Sequence, residues 1–358
     1  MKIALIHDWL VTLGGAEKVL EEIWNLYPSP IFTLFDGQIM PGKEVFSSFL
    51  QMMPGAFRHH RYYLPFFPWA IEKFKLQDFD VLLSSSHAVA KGIRTRKGQL
   101  HICYCHTPMR YAWDLEEQYT EDLDPIRRWG AKAILRYLRG WDLSATSRVD
   151  HFIANSNFVA QRIERIYKRK ATVIYPPVST EKFYLSENKE DYYITVSRLV
   201  PYKRIDLMIE AFKALPHRKL IVVGDGPEMN RLKKMAPSNV EMKGRQSDAA
   251  VASLLSRAKG FIFAAEEDFG IAPVEAEASG TPVIAYGKGG VLESVISGKT
   301  GVFFQDPTAN SLVEAILRFE TLSFDSKQIK DHAQQFGVDR FKREFQAFVE
   351  QKWEEFLT

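Results

Sequence analysis

Between Glu266 and Gly280 the chain reads EEDFGIAPVEAEASG, and this stretch restricts the fold more than any other. The residues before it, 260–265 (GFIFAA), are a short apolar run suited to a buried strand. After it, Pro273 followed by Val274, Glu275, Ala276, Glu277 and Ala278 reads as a helix with proline near its first turn. A strand that passes through a glycine turn straight into a helix is the repeating unit of an open α/β sheet. Ligands of such sheets bind beyond the carboxyl ends of the strands, where helix N–H groups and the helix dipole attract phosphate and polarised oxygens. Glu267 then stands at the strand's carboxyl end and Glu275 in the first helical turn, placed to accept hydrogen bonds from hydroxyl groups. A capped core helix with two incidental acids has the same spacing.

The rest of the chain fits that architecture used twice. A length of 358 residues suits two domains of roughly 150 to 200 residues. Lys2, His7 and Asp8 interrupt the N-terminal apolar run, and no run approaches membrane-spanning length, so neither a signal peptide nor a transmembrane segment is expected and the location is cytoplasmic. Cys103 and Cys105 alternate on one strand and are not expected to pair, and no zinc-type cluster exists. Residues 1–175 hold 23 Lys and Arg against 18 Asp and Glu, the remainder 24 against 26. That imbalance is too mild to imply nucleic acid, and no nucleic-acid motif accompanies it.

Taken in order, KIALIH is a strand that runs through Gly14 and Gly15 into an amphipathic helix; the glycine pair is a candidate phosphate contact or a plain loop. Residues 57–69 (FRHHRYYLPFFPW) read as an aromatic, basic loop. Asp78 and Asp80 form an Asp-x-Asp pair ahead of the strand DVLLSSS, and Asp122 and Asp124 a second pair in an acidic loop; both read as structural. The alternating strand LHICYC ends at His106, where Thr107-Pro108 forces a turn. Ser156 is a helix N-cap, and Pro176-Pro177 mark the domain boundary. In the second half DYYITVSR is a strand ended by Arg198, and Lys203 precedes a helix. Two fixed cations there would stabilise charge developing on a departing diphosphate. LIVVGDG resembles a dinucleotide turn but lacks its third glycine and the later acid.

EEDFGIAPVEAEASGTPVIAYGKGG, YCHTPMRYAWD, the YPPV segment and the Arg198/Lys203 pair, in this order along nearly the whole chain, resemble retaining glycosyltransferases of family 4. The second run is close to that of bacterial mannosyltransferases of surface-polysaccharide synthesis. The resemblance implies the GT-B architecture: two Rossmann-like α/β domains facing a cleft, residues 1–176 binding acceptor, 177–335 binding nucleotide-sugar, and a helix over 336–358 returning to the first domain. It implies His106 and Glu267 at the transferred sugar, Arg198 and Lys203 on the diphosphate, and Glu275 on the ribose. Further donor contacts would come from Gly14, Gly15, Lys243, Gly244, Arg245, Phe269, Gly270 and Ile271. No metal or cofactor is implied. The donor would be GDP-mannose, with a UDP-sugar as the alternative, and the acceptor a glycan or lipid-linked glycan.

Rival readings are a same-fold epimerase or phosphorylase, a nicotinamide dehydrogenase disfavoured by the incomplete glycine motif, and a non-catalytic sugar-nucleotide-binding protein. The stretch 126–141 stays open between two roles. Ile126, Trp129, Ala133, Ile134, Tyr137, Leu138 and Trp141 recur at helical spacing, with Arg127, Arg128, Lys132, Arg136 and Arg139 between them. This is either a core helix with a solvated basic side or a peripheral helix on an anionic membrane.

Overall fold

The computed structural model describes residues 1–114, 116–121 and 123–358, with the side chains of Phe57, Arg58, Gln118 and Tyr119 set aside. The chain divides into two units, Met1–Tyr175 with Phe341–Thr358, and Pro176–Arg340.

The first unit is built on seven parallel strands: β1 (Ile3–His7), β2 (Ile31–Thr33), β3 (Val45–Ser47), β4 (Val81–Ser86), β5 (Leu100–Cys105), β6 (His151–Ala154) and β7 (Ala171–Val173). Their spatial order is β3-β2-β1-β4-β5-β6-β7. The central strands β1, β4 and β5 are buried along their whole length, as a parallel sheet covered on both faces requires; β1 and β5 are mostly apolar, and β4 passes from Val81, Leu82 and Leu83 into three buried serines. Helix Gly15–Leu26 buries Val19, Leu20 and Ile23 on one side of the sheet. The last helix, Val338–Leu357, adds Phe341, Phe345 and Val349 to that same core, against Leu5, Ile102 and Tyr104.

The second unit holds β8 (Tyr192–Val196), β9 (Lys219–Val223), β10 (Val240–Gly244), β11 (Gly260–Phe263), β12 (Val283–Tyr286) and β13 (Gly301–Phe304), all parallel. Their order is β10-β9-β8-β11-β12-β13. In each sheet the winding reverses once, between β1 and β4 in the first and between β8 and β11 in the second. Those two places leave a crevice beyond the strand ends, because the connections leave in opposite directions.

Several local expectations need correction. Residues 56–71 are not an open loop but three short helical turns, Ala56–His59, His60–Phe66 and Phe67–Ile71. Pro68 suits the first turn of the last of these, which sinks Phe67, Ala70 and Ile71 into the core. Of the aromatics named for this stretch, Tyr62, Phe66 and Trp69 are exposed, Tyr63 donates to the Pro54 carbonyl, and the side chain of Phe57, like that of Arg58, lies outside the described residues. Asp80 accepts the Lys2 amide at 2.7 Å at the amino end of β4, and Asp124 caps helix Pro125–Ala145 through the amides of Ile126 and Arg127. Asp122 lies outside the described residues.

Helix Pro125–Ala145 departs most from its sequence reading. Leu135, Leu138, Asp142 and Ala145 face inward, and Trp141 is half-buried with its indole N–H on Glu72. The residues i, i+3, i+7 and i+11, namely Ile126, Trp129, Ala133 and Tyr137, form a separate line that faces solvent, with Ile126 82% and Trp129 76% exposed. The helix therefore carries two apolar faces, which a single helical period could not separate.

Candidate functional site

The crevice of the second unit collects most of the residues singled out in the sequence. Strand β8 ends at Val196, two residues before the expected end, and Arg198 follows it as an exposed side chain. The backbone there is clamped: Ser197 N donates to Val223 O at 3.0 Å and Leu199 N to Asp225 O at 2.9 Å. Gly224, at φ +134°, permits this approach, since a Cβ would fall 1.8 Å from the Ser197 carbonyl oxygen. The glycine turn that resembled a dinucleotide motif thus serves to seat the Arg198 segment. Lys203 ends the short turn Pro201–Lys203 just ahead of helix Ile205–Lys213.

Glu267 lies four residues past β11, and its carboxylate forms an ion pair with the Lys203 ammonium. Its backbone is fixed from the other side, where Gly290 N donates to Glu267 O at 2.8 Å. A Cβ on Gly289 would meet that same oxygen at 2.4 Å, so the second glycine pair of the sequence exists to let β12's outgoing loop hold Glu267 in place. Phe269 is buried with its ring edge-on to Phe336 at 5.5 Å. Gly270 caps helix Ile271–Ala278 at φ +91°. The helix starts at Ile271, two residues earlier than Pro273 suggested, so Glu275 is its fifth residue and lies beyond the first turn, which contains no acid.

Lys243 and Gly244 end the edge strand β10. The Lys243 ammonium pairs with Glu241, its carbonyl accepts from Gln246, and the Gly244 carbonyl accepts from Gly224 N at 2.9 Å. Arg245 is exposed beside them.

In helix Ile271–Ala278, Glu277 is a second acid, turned into the protein. It is fully buried, with neither carboxyl oxygen hydrogen-bonded. Burial pushes its carboxyl well above the ordinary range, and the nearby Thr300 hydroxyl offsets this only in part. A carboxyl whose pKa is raised by folding keeps its proton where the unfolded chain has lost it, so stability falls as pH rises past the ordinary value. Glu277→Gln is expected to raise the melting temperature at neutral pH and to flatten its decline between roughly pH 5 and 8. A variant that melts below the parent at pH 7 would contradict this.

The first unit gathers a second polar group at the β1/β4 reversal. His7 ends β1, Ser85 lies opposite it on β4, and His106 directly follows β5. His106 Nε2 is 2.8 Å from Ser85 Oγ. Burial, then His87 and His7, push its pKa down to about 3, so its ring is neutral at ordinary pH. Gly14 caps helix Gly15–Leu26 and donates its N–H to Glu17 Oε2 at 2.8 Å; Gly15 is exposed as the helix's first residue.

The sequence reading missed Asp8, Glu17 and His87. Asp8 is buried and accepts four consecutive amides, those of His87, Ala88, Val89 and Ala90, at 2.6 to 2.9 Å, while His87 Nδ1 lies 3.1 Å from it. Burial opposes ionisation, but His87, His7 and the amides hold the Asp8 carboxyl below its ordinary range. The available signal was an acid at a strand's carboxyl end, His7-Asp8, together with the small residues of SSSHAVAKG, which free a turn of amides.

Residues 31–182 match the family model Glycosyltransferase Family 4, and residues 179–336 match Glycosyl transferases group 1. An uncharacterised glycosyltransferase of Methanocaldococcus jannaschii is 29% identical over 198 residues, 54% of this chain and 56% of that protein. A GDP-mannose-dependent alpha-(1-6)-phosphatidylinositol monomannoside mannosyltransferase of Mycolicibacterium smegmatis is 31% identical over 142 residues, 34% of this chain and 37% of that protein. The chain thus spans about half the length of the first relative and little more than a third of the second. Among solved structures, Anabaena HepE in complex with UDP-glucose superposes with a TM-score of 0.71 at 19% identity, covering 98% of this chain and 100% of that one. With family matches that together take in residues 31–336, and a parallel sheet in each of its two units, the chain has the GT-B fold, and each of its halves matches a glycosyltransferase family model.

Proposed function

We propose that the chain transfers a hexosyl group, with retention of configuration, from a nucleotide-sugar to a glycan or lipid-linked glycan, and that the donor is GDP-mannose. The observation that carries this reading is the grouping of Arg198, Lys203, Glu267 and the start of helix Ile271–Ala278 at one sheet reversal. Two cations and helix amides suit a leaving diphosphate, and a carboxylate beside them suits sugar hydroxyls. In this mechanism the diphosphate departs on the face that the acceptor attacks. Arg198, Lys203 and the amides near Phe269, Gly270 and Ile271 stabilise it, and a leaving phosphate oxygen takes the acceptor's proton. Glu275 holds the ribose, the segment Lys243–Arg245 the base, Gly14 and Gly15 the phosphate side, and His106 the sugar.

The mannosyltransferase relative supports GDP-mannose, while the neighbour solved with UDP-glucose keeps a UDP-sugar as the second reading. Thermal denaturation with each donor separates them, because a ligand at about 100 times its dissociation constant adds about 2.7 kcal/mol of stability. GDP-mannose is expected to raise the transition and UDP-sugars to leave it unmoved; the reverse pattern assigns the second reading, and no shift with any donor removes both. Transfer should also persist in EDTA, since the charge is met by Arg198 and Lys203. Loss of activity restored by magnesium or manganese would overturn that part.

The acceptor is proposed to be lipid-linked and met at an anionic cytoplasmic leaflet. No described helix is long and apolar enough to cross a membrane. The outward line Ile126, Trp129, Ala133 and Tyr137 is apolar where a solvated helix would be charged, and exposed Lys132 and Arg136 flank it. A tryptophan at the headgroup level and cations beside it suit a negatively charged lipid surface, each cation contributing about 1 kcal/mol. The protein should sediment with phosphatidylserine vesicles at low salt, release at high salt, and ignore phosphatidylcholine. Lys132→Gln and Arg136→Gln should each weaken binding about fivefold. Binding that disregards lipid charge, or none, would leave a soluble acceptor.

A further inference from the structure

A buried line of polar groups joins the glycine turn of the first unit to His106. Glu17 accepts the Gly14 amide through Oε2, and its Oε1 lies 3.4 Å from His7 Nε2. The other nitrogen of His7, Nδ1, lies 3.1 Å from the Ser85 carbonyl oxygen and 3.2 Å from Ser85 Oγ. Ser85 Oγ in turn lies 2.8 Å from His106 Nε2. All four side chains are buried.

The hydrogens along this line follow from which atoms can only accept. A carbonyl oxygen and a carboxylate oxygen have no hydrogen to give. His7 Nδ1, facing the Ser85 carbonyl oxygen, therefore donates, and Nε2 faces the Glu17 carboxylate. Burial works against the Glu17 charge, but the hydrogen bond and charge of His7 outweigh it and hold the carboxyl below its ordinary range. The Ser85 hydroxyl, receiving from His7, keeps one hydrogen, and its partner for that hydrogen is His106 Nε2. A nitrogen that accepts carries no proton, and the neutral His106 ring must then hold its single proton on Nδ1. No described residue is hydrogen-bonded to that Nδ1. His87 and Tyr104 flank the ring, at centroid distances of 6.4 and 5.1 Å.

We infer that Glu17, His7 and Ser85 are positioning residues that lock His106 in its Nδ1–H tautomer, so that it offers a donor rather than an acceptor to a hydroxyl oxygen of the transferred sugar. The tautomer follows from these contacts and from the neutral state of the buried His106 ring; the sugar as recipient rests on the proposed transfer. An isolated imidazole favours the opposite tautomer, so reversing that preference requires a fixed hydroxyl donor under His106, which the Glu17–His7–Ser85 line supplies. Without the relay His106 would turn an acceptor toward the ligand and lose a hydrogen bond.

The test is nitrogen NMR of the whole protein with labelled histidine, recorded without any donor. His106 should show a protonated Nδ1 and an unprotonated, hydrogen-bonded Nε2. In Ser85→Ala the population should move toward Nε2–H, and kcat/KM for the donor should fall about tenfold, which is about 1.4 kcal/mol. Glu17→Gln, which keeps the serine and the side-chain shape, should move the tautomer the same way. A native His106 protonated on Nε2, or a Ser85→Ala protein whose tautomer is unchanged, overturns the inference. The expected tautomer in a protein that transfers no sugar would instead sustain the relay and remove the proposed function.

Discussion

Lys203→Ala is expected to slow turnover about 10²- to 10³-fold at saturating donor, and Arg198→Ala by a similar factor. A cation fixed beside a leaving diphosphate acts mainly on charge that develops in the transition state, so the loss should fall on kcat. The ion pair between Lys203 and Glu267 adds a further expectation. The two side chains hold one another, and each single substitution also releases its partner. Their effects should not add: the double variant Lys203→Ala, Glu267→Gln should be close to the worse single one. Glu275→Gln, by contrast, should chiefly raise KM, because ribose contacts are present in ground and transition states alike. Steady-state kinetics with Lys203→Ala, Arg198→Ala, Glu267→Gln, the double variant and Glu275→Gln decide this. A Lys203→Ala enzyme within about fivefold of the parent, or strictly additive losses, would remove Lys203 and Glu267 from a shared role.

Much of this arrangement was legible in the sequence because strand ends and glycine turns are local signals. GFIFAA, LHICYC and DYYITVSR each mark a strand by composition, and the residue just past each strand's end is placed at the ligand side by the parallel sheet itself. Sequence gave no such handle on the pairing of Lys203 with Glu267, which are 64 positions apart and meet only because β8 and β11 are neighbours. Helix Pro125–Ala145 misled for a different reason. Its two apolar lines are offset around the helix, and a period of 3.6 residues cannot say which of them faces protein. The start of helix Ile271–Ala278 was displaced by giving weight to Pro273, when the left-handed Gly270 sets the cap.

Asp8 escaped notice because its importance is entirely tertiary. Its partners are the four amides that follow β4, about 80 positions away, brought to it by the register of β1 with β4. Those amides open the turn Ala90–Gly92, whose Lys91 is in turn buried against Asp142 of helix Pro125–Ala145. Removing the carboxylate strands four donors away from water and leaves His87 without its acid, so Asp8→Ala is expected to cost about 3 to 5 kcal/mol of stability. That is a large part of the 5 to 15 kcal/mol typical of a domain. Asp8→Asn should be costly as well, since its NH₂ group would point a donor at donors. The pH dependence has a fixed sign: a carboxyl lowered by folding contributes above its ordinary value of 3.8 and loses that contribution as pH falls through its folded pKa. The gap between parent and Asp8→Ala should accordingly be widest near neutral pH and close in strong acid. Urea denaturation at several pH values, followed by a probe in the first unit, measures it, and a gap under about 1 kcal/mol at pH 7 would mean that the four amides find other partners.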